Sequence, residues 1–185
     1  MSTTRPTIAV FGSSTLKEHE PGWELARALG RELANGGAAV MTGGYGGAMA
    51  ACSQGAHEAG GHVIGVTVDL FEPRGPANRW VRERLHTTTL FERLETIIAR
   101  ADGYVTLPGS IGTLTELFLT WTLLSVHART PAPLVLLGDH WEEWLRAHRG
   151  PALVPDPLFS YVETATSPAD AARRVLEAVA ATRRS

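Results

Sequence analysis

Short, almost continuously apolar runs alternate along this chain with longer segments of helical periodicity. Five such runs occupy residues 7–12, 38–43, 62–67, 103–108 and 133–138. A strand without polar alternation is typical of a parallel sheet that is covered on both faces. Helical patterns separate the runs, and two more follow the last one, the final helix with Ser167 as its N-cap. The alternation predicts a Rossmann-like α/β fold, a doubly wound parallel sheet with helices on both faces.

The length of 185 residues suits one domain with its own core, and neither a repeat nor a linker interrupts the pattern. We therefore expect residues 1–185 to form a single domain. Residues 69–88 are the least regular stretch, and there we expect a loop with a short strand near residues 84–88.

Three of the predicted strands run directly into loops of glycine and hydroxyl residues. These loops read FGSST after the first strand, TGGYGGAM after the second and LPGSIGT after the fourth. In an open parallel sheet, ligands bind at the carboxyl ends of the strands. Small residues there let backbone N–H groups at helix N-termini approach an anion. The three loops together predict a phosphorylated ligand.

The motifs disfavour several familiar phosphate and cofactor sites. A P-loop needs Gly-Lys-Ser/Thr, which does not occur, and GYGGAM ends in Met49 where a dinucleotide fingerprint has its third glycine. The one lysine that could form a pyridoxal Schiff base, Lys17, lies in a polar loop. The histidines lack HxH or HxxxH spacing, and Cys52 is typical of a small core residue. We expect neither a metal nor a cofactor.

Charge and hydropathy bear on the partners. The formal net charge of −2 leaves no broad basic surface, so we expect no nucleic-acid partner. Apolar runs of membrane-spanning length and a signal-peptide layout are both lacking, so we expect no membrane association. A single cysteine excludes an internal disulfide and suits a reducing cytoplasm, the expected location.

The segment LPGSIGTLTE, residues 107–116, resembles the PGGxGTxxE signature of the LOG (Lonely Guy) family. Members of this family are phosphoribohydrolases that release a free base from a nucleoside 5′-monophosphate. VFGSST at 10–15 is similar to the family's first phosphate loop, and residues 42–66 resemble its GGGxxGLMGxxAxxAxxxGGxVIGV block. LFERLETIIARADGYVTLPG at 90–109 is similar to the MHxRK helix and the following strand. The resemblance covers roughly residues 7–137 and implies the family's nucleotide-binding fold.

The resemblance also implies roles for individual residues. The family's catalytic arginine corresponds to Arg93 and its catalytic glutamate to Glu116. The residues implied to bind the phosphate and the rest of the nucleotide are Gly12, Ser13, Ser14, Gly43, Gly44, Gly46, Gly47, Met49, Pro108, Gly109, Ser110, Gly112 and Thr113.

The reaction explains why these residue types are needed. A carboxylate near the anomeric carbon can stabilise positive charge on the sugar or activate water, and an arginine can bind the leaving base or the phosphate. Thr113, Glu116 and Thr120 share one helix face, near an N-terminus whose dipole favours the phosphate and an ionised Glu116. Two structural readings stay open: Glu116 as a helix-start charge, and Arg93 in a surface ion pair with the glutamates of FERLE.

Neighbours of the catalytic pair depart from the family pattern at Ser110, Ile111, Phe91 and Leu94. Two functions from different classes therefore stay open. The first is hydrolysis of a purine nucleoside 5′-monophosphate to free base and ribose 5-phosphate, with an N6-modified adenine nucleotide among the candidate substrates. The second is a non-catalytic carrier of a nucleotide or phosphorylated cofactor, since molybdenum-cofactor carriers are similar in fold. Retention of the catalytic pair favours the hydrolase.

Apolar residues are dense in the segment TLTELFLTWTLLSVH. Trp121 with Leu117, Leu123 and Leu124 indicates a core position. The LOG resemblance implies that this helix also contributes to a homodimer, whose interface would bury the apolar side chains that exceed what the core needs. Contacts to the base are expected from the loop at 69–88.

Overall fold

Seven parallel strands form one sheet in the computed structural model, which describes residues 5–150 and 152–184. The strands are β1 Thr7–Phe11, β2 Ala39–Thr42, β3 Val63–Val68, β4 Glu83–Thr87, β5 Gly103–Thr106, β6 Leu134–Leu137 and β7 Glu163–Ala165. Their order across the sheet is β4-β3-β2-β1-β5-β6-β7, and every neighbouring pair is parallel. The order reverses at β1, so the switch point lies between β1 and β5.

Helices cover both faces of this sheet. They are α1 Pro21–Asn35, α2 Ala48–Glu58, α3 Leu90–Arg100, α4 Ile111–Ser125, α5 His140–His148 and α6 Pro168–Thr182. One core cluster joins α1, α2 and α6 to one face of the sheet, and a second cluster joins α3, α4 and α5 to the other face. The doubly wound arrangement is therefore confirmed. Among the described residues, no helix combines the length and the apolar character needed to cross a membrane.

The five central strands β1, β2, β3, β5 and β6 are almost continuously apolar because each contributes side chains to both clusters. In β1, Ile8 and Val10 belong to the cluster under α1, while Ala9 and Phe11 belong to the cluster under α4. Successive side chains of a strand point to opposite faces, so burial of both faces requires a continuous apolar run. The same argument explains why these five strands could be recognised in the sequence as apolar runs.

Helices α1 and α2 touch each other directly through their backbones. A Cβ atom added at Gly30 of α1 would lie 2.0 Å from the carbonyl oxygen of Cys52, and one added at Gly55 of α2 would lie 1.8 Å from that of Arg27. Only glycine lets two helices approach this closely. Cys52 is fully buried at this contact, as expected for a small core residue.

The predicted strands agree with the structure to within about two residues at each end, and the features that were not predicted lie at the periphery of the fold. The hydroxyl of Ser167 accepts a hydrogen bond from the backbone N–H of Asp170 at 3.2 Å, so the predicted N-cap is confirmed. The stretch 69–88 contains β4 as expected, but it begins with a 3₁₀ helix at Asp69–Arg74. The sequence pattern did not predict that 3₁₀ helix, a second one at Asp156–Tyr161, or the three-residue strand β7.

Candidate active site

Three loops meet at the carboxyl edge of the sheet, beside the switch point. They are the β1 loop (residues 12–15), the β2 loop (43–47) and the β5 loop (107–110). The backbone N–H of Ser13 donates to the carbonyl of Pro108 at 3.2 Å, and the carbonyl of Ser13 accepts from the N–H of Ala48 at 2.7 Å. The β1 loop is thus bonded to the β5 loop and to the start of α2, which follows the β2 loop.

A cavity of about 600 Å³ opens where these loops meet. Ten of the predicted site residues line it: Gly12, Ser14, Gly43, Gly46, Met49, Arg93, Ser110, Gly112, Thr113 and Glu116. Eight other lining residues were not singled out in the sequence as site residues: Val10, Phe11, Tyr45, Phe71, Pro76, Leu90, Leu94 and Thr115. Two of them, Phe71 and Pro76, lie in the stretch 69–88 from which contacts to the base were expected. The predicted loops, the arginine and the glutamate are therefore brought together around one cavity.

The remaining predicted residues belong to the three loops but do not line the cavity: Ser13, Gly44, Gly47, Pro108 and Gly109. Two of these glycines leave room that a side chain would take away. A Cβ at Gly47, where φ is +65°, would lie 2.3 Å from the carbonyl oxygen of Ser13, and a Cβ at Gly109 would lie 2.1 Å from Oγ1 of Thr113. These residues shape the loops.

Arg93 lies on the buried face of α3, a helix capped by Thr89, whose hydroxyl accepts from the N–H of Glu92 at 3.1 Å. The Arg93 Nε donates to the carbonyl of Val66 at 2.8 Å, and Nη2 donates to the carbonyl of Gly43 at 3.2 Å. Only 5% of the residue is exposed. The alternative of a surface ion pair within FERLE is therefore wrong.

Glu116 approaches Arg93 from α4. Its Oε1 lies 3.9 Å from Nη1 of Arg93, a distance that allows attraction but exceeds that of a hydrogen bond. Burial raises the pKa of Glu116 to about 7 and outweighs the opposing effect of the Arg93 charge. Burial also lowers the pKa of Arg93, against the effect of Glu116, but a guanidinium stays charged in proteins.

The structure changes two expectations about this helix face. Glu116 is the sixth residue of α4, beyond the first turn where the dipole acts, so desolvation rather than the dipole decides its charge. Thr113 is buried and lines the cavity, but Thr120 is buried elsewhere, and its hydroxyl has no hydrogen-bond partner among the described residues. Thr120 therefore belongs to the same helix as Thr113 and Glu116 but does not line the cavity.

Two aromatic rings lie close to the guanidinium of Arg93. Its Cζ atom is 5.5 Å from the ring centre of Phe71 and 6.0 Å from that of Tyr45. The two rings meet edge to face, with centres 5.8 Å apart and planes inclined by 79°. Such rings attract a cation and limit the access of water to it.

The sheet order divides the cavity lining into a polar side and an apolar side. Hydroxyl groups and glycines come from the β1 and β5 loops and the start of α4. Much of the apolar surface comes from residues that follow β2, β3 and β4, namely Tyr45, Phe71, Pro76, Leu90 and Leu94. This lining suits a ligand with an anionic end and a planar apolar end. The described residues hold no group of three or more His, Cys, Asp or Glu side chains placed to bind a metal ion.

Comparison with known proteins assigns the family. The model of the SLOG cluster 4 family matches residues 5–126. The cytokinin riboside 5′-monophosphate phosphoribohydrolase of Mycobacterium marinum is 34% identical over 140 residues, which are 74% of this chain and 72% of that protein. This chain belongs to the LOG family. The LOG enzyme of Oryza sativa is 30% identical over 175 residues, 91% of this chain and 66% of its own length. The predicted family resemblance is confirmed.

Solved structures support the fold of this LOG-family chain over nearly its whole length. The molybdenum cofactor binding protein of Rippkaea orientalis superposes with a TM-score of 0.75 at 24% identity, covering 97% of this chain and 99% of that one. The molybdenum cofactor carrier protein of Chlamydomonas reinhardtii gives 0.73 at 26% identity, covering 96% and 99%. Both are similar in fold, as expected from the sequence.

Proposed function

We propose that this chain hydrolyses the N-glycosidic bond of a purine nucleoside 5′-monophosphate, releasing the free base and ribose 5-phosphate. The observation that carries the proposal is the buried Arg93–Glu116 pair, held at 3.9 Å in a cavity rimmed by three glycine-rich loops. The cytokinin riboside 5′-monophosphate phosphoribohydrolases among its relatives support an N6-modified adenine nucleotide as the first substrate to test.

The phosphate would lie against the β1 and β5 loops and the start of α4. Ser14, Ser110 and Thr113 bring hydroxyl groups to this side of the cavity, and Gly112 lets the backbone approach closely. N–H groups in the first turn of a helix have no partner within the helix, and they bind phosphate together with the dipole. The sugar of a ligand held this way extends toward Arg93 and Glu116.

Glu116 is the residue suited to act on the sugar. As the C1′–N bond lengthens, positive charge develops on the ribose ring and negative charge on the base. The carboxylate stabilises the ring charge and accepts a proton from the water whose oxygen bonds to C1′, while the base departs with the electrons of the C1′–N bond. Transfer of that proton from Glu116 to the departing base then restores the carboxylate. A pKa of about 7 lets Glu116 exchange protons readily at neutral pH.

Arg93 supplies a fixed positive charge next to these groups. Its guanidinium is anchored on two backbone carbonyls, those of Val66 and Gly43, so it holds its position without help from the ligand. A preorganised cation of this kind stabilises negative charge as it develops on the leaving base. It also attracts Glu116 and keeps that carboxyl group directed into the cavity.

The test is release of ribose 5-phosphate from AMP, GMP, CMP and N6-isopentenyl-AMP. We expect turnover of at least one purine nucleotide, reduced by at least about 100-fold in Glu116→Gln, which removes the proton acceptor but keeps the side-chain size. Glu95→Gln, at an exposed position on α3, is the matched control and should retain full activity. Absence of turnover with every nucleotide would contradict the proposal.

A carrier of a nucleotide or phosphorylated cofactor is the second candidate. The observation in its favour is the match to the Chlamydomonas reinhardtii carrier protein, which extends over 96% of this chain. A carrier needs the loops but does not need a carboxylate at the sugar. Tight nucleotide binding without turnover, unchanged in Glu116→Gln, would favour the carrier over the hydrolase.

We also propose that residues 1–185 act as one domain. A further part of the proposal is that two copies of the chain form a homodimer through α4. Ile111 is 79% exposed and Phe118 is 38% exposed, and both line a groove with Leu114 and Leu119 on the outer side of this helix. Exposed apolar patches of this kind favour a protein partner. Light scattering should give twice the monomer mass, and Phe118→Lys should reduce it to the monomer mass; a monomeric parent chain would contradict the dimer.

The proposed working environment is the cytoplasm, with no nucleic acid bound. Support comes from the single, fully buried thiol of Cys52 and from the formal net charge of −2. Cell fractionation and a gel-shift assay with single-stranded and double-stranded DNA test the two statements separately.

A further inference from the structure

Strand β3 extends three residues past its neighbour β2. The last residue of β2, Thr42, pairs with Gly65, whereas β3 continues to Val68. Backbone groups of a strand that lose their neighbour need other hydrogen-bond partners when they are buried. On the side that β2 leaves, the first such group is the carbonyl of Val66, which accepts from Nε of Arg93 at 2.8 Å.

The next backbone groups on this side are bound by Tyr45. Its hydroxyl accepts a hydrogen bond from the N–H of Val68 at 2.9 Å and donates one to the carbonyl of the same residue at 3.0 Å. One hydroxyl thus replaces both hydrogen bonds that a neighbouring strand would make. Tyr45 and Arg93 are therefore anchored two residues apart on the same edge of β3.

Tyr45 belongs to the β2 loop, which is also bonded to Asn78. The side-chain amide of Asn78 donates to the carbonyl of Tyr45 at 3.0 Å, and its backbone N–H donates to the carbonyl of Gly44 at 2.8 Å. Residues 68 and 78 are thus both attached to the β2 loop. The segment between them, residues 69–77, carries Phe71 and Pro76, which line the apolar side of the cavity.

We propose that Tyr45 is a positioning residue that holds segment 69–77 in place as a wall for the base, with Phe71 as the surface on which the base packs. The inference rests on the proposed function only in taking the ligand to be a nucleoside 5′-monophosphate. A planar heterocycle gains most from an aromatic face that is already fixed, because the wall then loses little freedom on binding. Tyr45 sets the affinity for the base, and the β1 and β5 loops set the affinity for ribose 5-phosphate.

The test compares AMP with ribose 5-phosphate by titration calorimetry, using Glu116→Gln as the parent chain so that AMP is not cleaved during the titration. Tyr45→Phe keeps the ring and removes both hydrogen bonds to Val68. We expect it to weaken AMP binding about tenfold and to change ribose 5-phosphate binding by less than about twofold. Phe71→Leu should also weaken AMP binding selectively, whereas Phe71→Trp, which keeps an aromatic face, should bind AMP as well as the parent chain does. Tyr161→Phe removes a tyrosine hydroxyl from a residue that does not line the cavity, so it is the matched control and should leave both affinities unchanged.

A second measurement needs no ligand. Hydrogen exchange of the peptides covering residues 66–78 should be faster in Tyr45→Phe than in the parent chain, while peptides of α1 and α6 stay unchanged. Unchanged exchange at 66–78 would overturn the positioning role. Equal weakening of AMP and ribose 5-phosphate by Tyr45→Phe would also overturn it, because the residue would then serve the phosphate loops.

The outcome is separable from that of the proposed hydrolysis. A wild-type chain that binds AMP but cleaves none of the four nucleotides ends the hydrolase proposal, and the titrations then still decide whether segment 69–77 forms a wall for the base. If the wild-type chain cleaves AMP but the Glu116→Gln chain binds AMP and ribose 5-phosphate with equal affinity, the proposed wall for the base is wrong and the proposed hydrolysis stands.

Discussion

Replacing Glu116 by Gln should change the pH dependence of folding stability in a calculable way. The pKa of this carboxyl is about 7 in the folded chain, against an ordinary value of 4.5. The folded state therefore holds the proton more tightly than the unfolded state, so stability is full below pH 4.5 and is lost as the pH rises through 7. At about 1.4 kcal/mol per pKa unit, the whole effect is about 3 kcal/mol.

Glutamine imitates the protonated carboxyl, so the two proteins should differ little in stability at pH 5. Near pH 8 the wild type should be less stable than Glu116→Gln by about 2 to 3 kcal/mol, because only the wild type then buries a carboxylate. Arg93 does not cancel this cost, since its Nη1 lies 3.9 Å from Oε1 without a hydrogen bond.

The assay is urea denaturation of both proteins from pH 5 to pH 8.5 in a buffer without phosphate, which could bind the site. The difference between the two free energies of unfolding cancels the pH-dependent contributions of the histidines and of every other group that the two proteins share. Glu95→Gln, exposed on α3, should give a flat difference from the wild type. A flat difference for Glu116→Gln as well would refute the claim that burial dominates at this carboxyl.

Three further substitutions test separate parts of the structure. Arg93→Lys should lower kcat/KM by about 100-fold, because an ammonium cannot donate to the carbonyls of Val66 and Gly43 in the geometry of a planar guanidinium. Equal activity of Arg93→Lys and the wild type would contradict the need for a fixed guanidinium. Gly43→Ala would place a Cβ 1.8 Å from Nη2 of Arg93, so activity should fall at least about tenfold in a protein with an unchanged circular dichroism spectrum. Ser167→Ala should cost about 1 kcal/mol in urea denaturation through loss of the N-cap of α6, with nucleotide hydrolysis unaffected.

The parts of the fold that the sequence predicted are those with a strong periodic signal. Strands β1, β2, β3, β5 and β6 are buried on both faces, so they read as continuous apolar runs. Strand β7 is only three residues long and begins with the exposed Glu163, so no pattern reveals it. The 3₁₀ helix at Asp69–Arg74 contains Pro73, which is typical of a loop as much as of a short helix.

The candidate site divides in the same way. Loops rich in glycine, and the family register of Arg93 and Glu116, are local features and could be predicted. The charge of Glu116 could not, because it depends on burial between elements distant in sequence. The stretch 69–88 was expected to contact the base, but Tyr45 and Phe71 were not singled out, for a related reason. Their positions depend on β3 extending beyond β2, and the relative lengths of two paired strands appear only once the sheet is assembled.

The backbone contact between α1 and α2 has a consequence for how mutations reach the site. With carbonyl oxygens about 2 Å from where a Cβ at Gly30 or Gly55 would be, no side-chain rearrangement can absorb a larger residue. The helix must move as a unit, and α2 carries Met49 at the cavity and starts directly after the β2 loop. In a mutational scan, we therefore expect substitutions of Gly30 or Gly55 to give folded variants that fail to bind the ligand. Substitutions of ligand-contacting residues should have the same effect, although neither glycine lines the cavity.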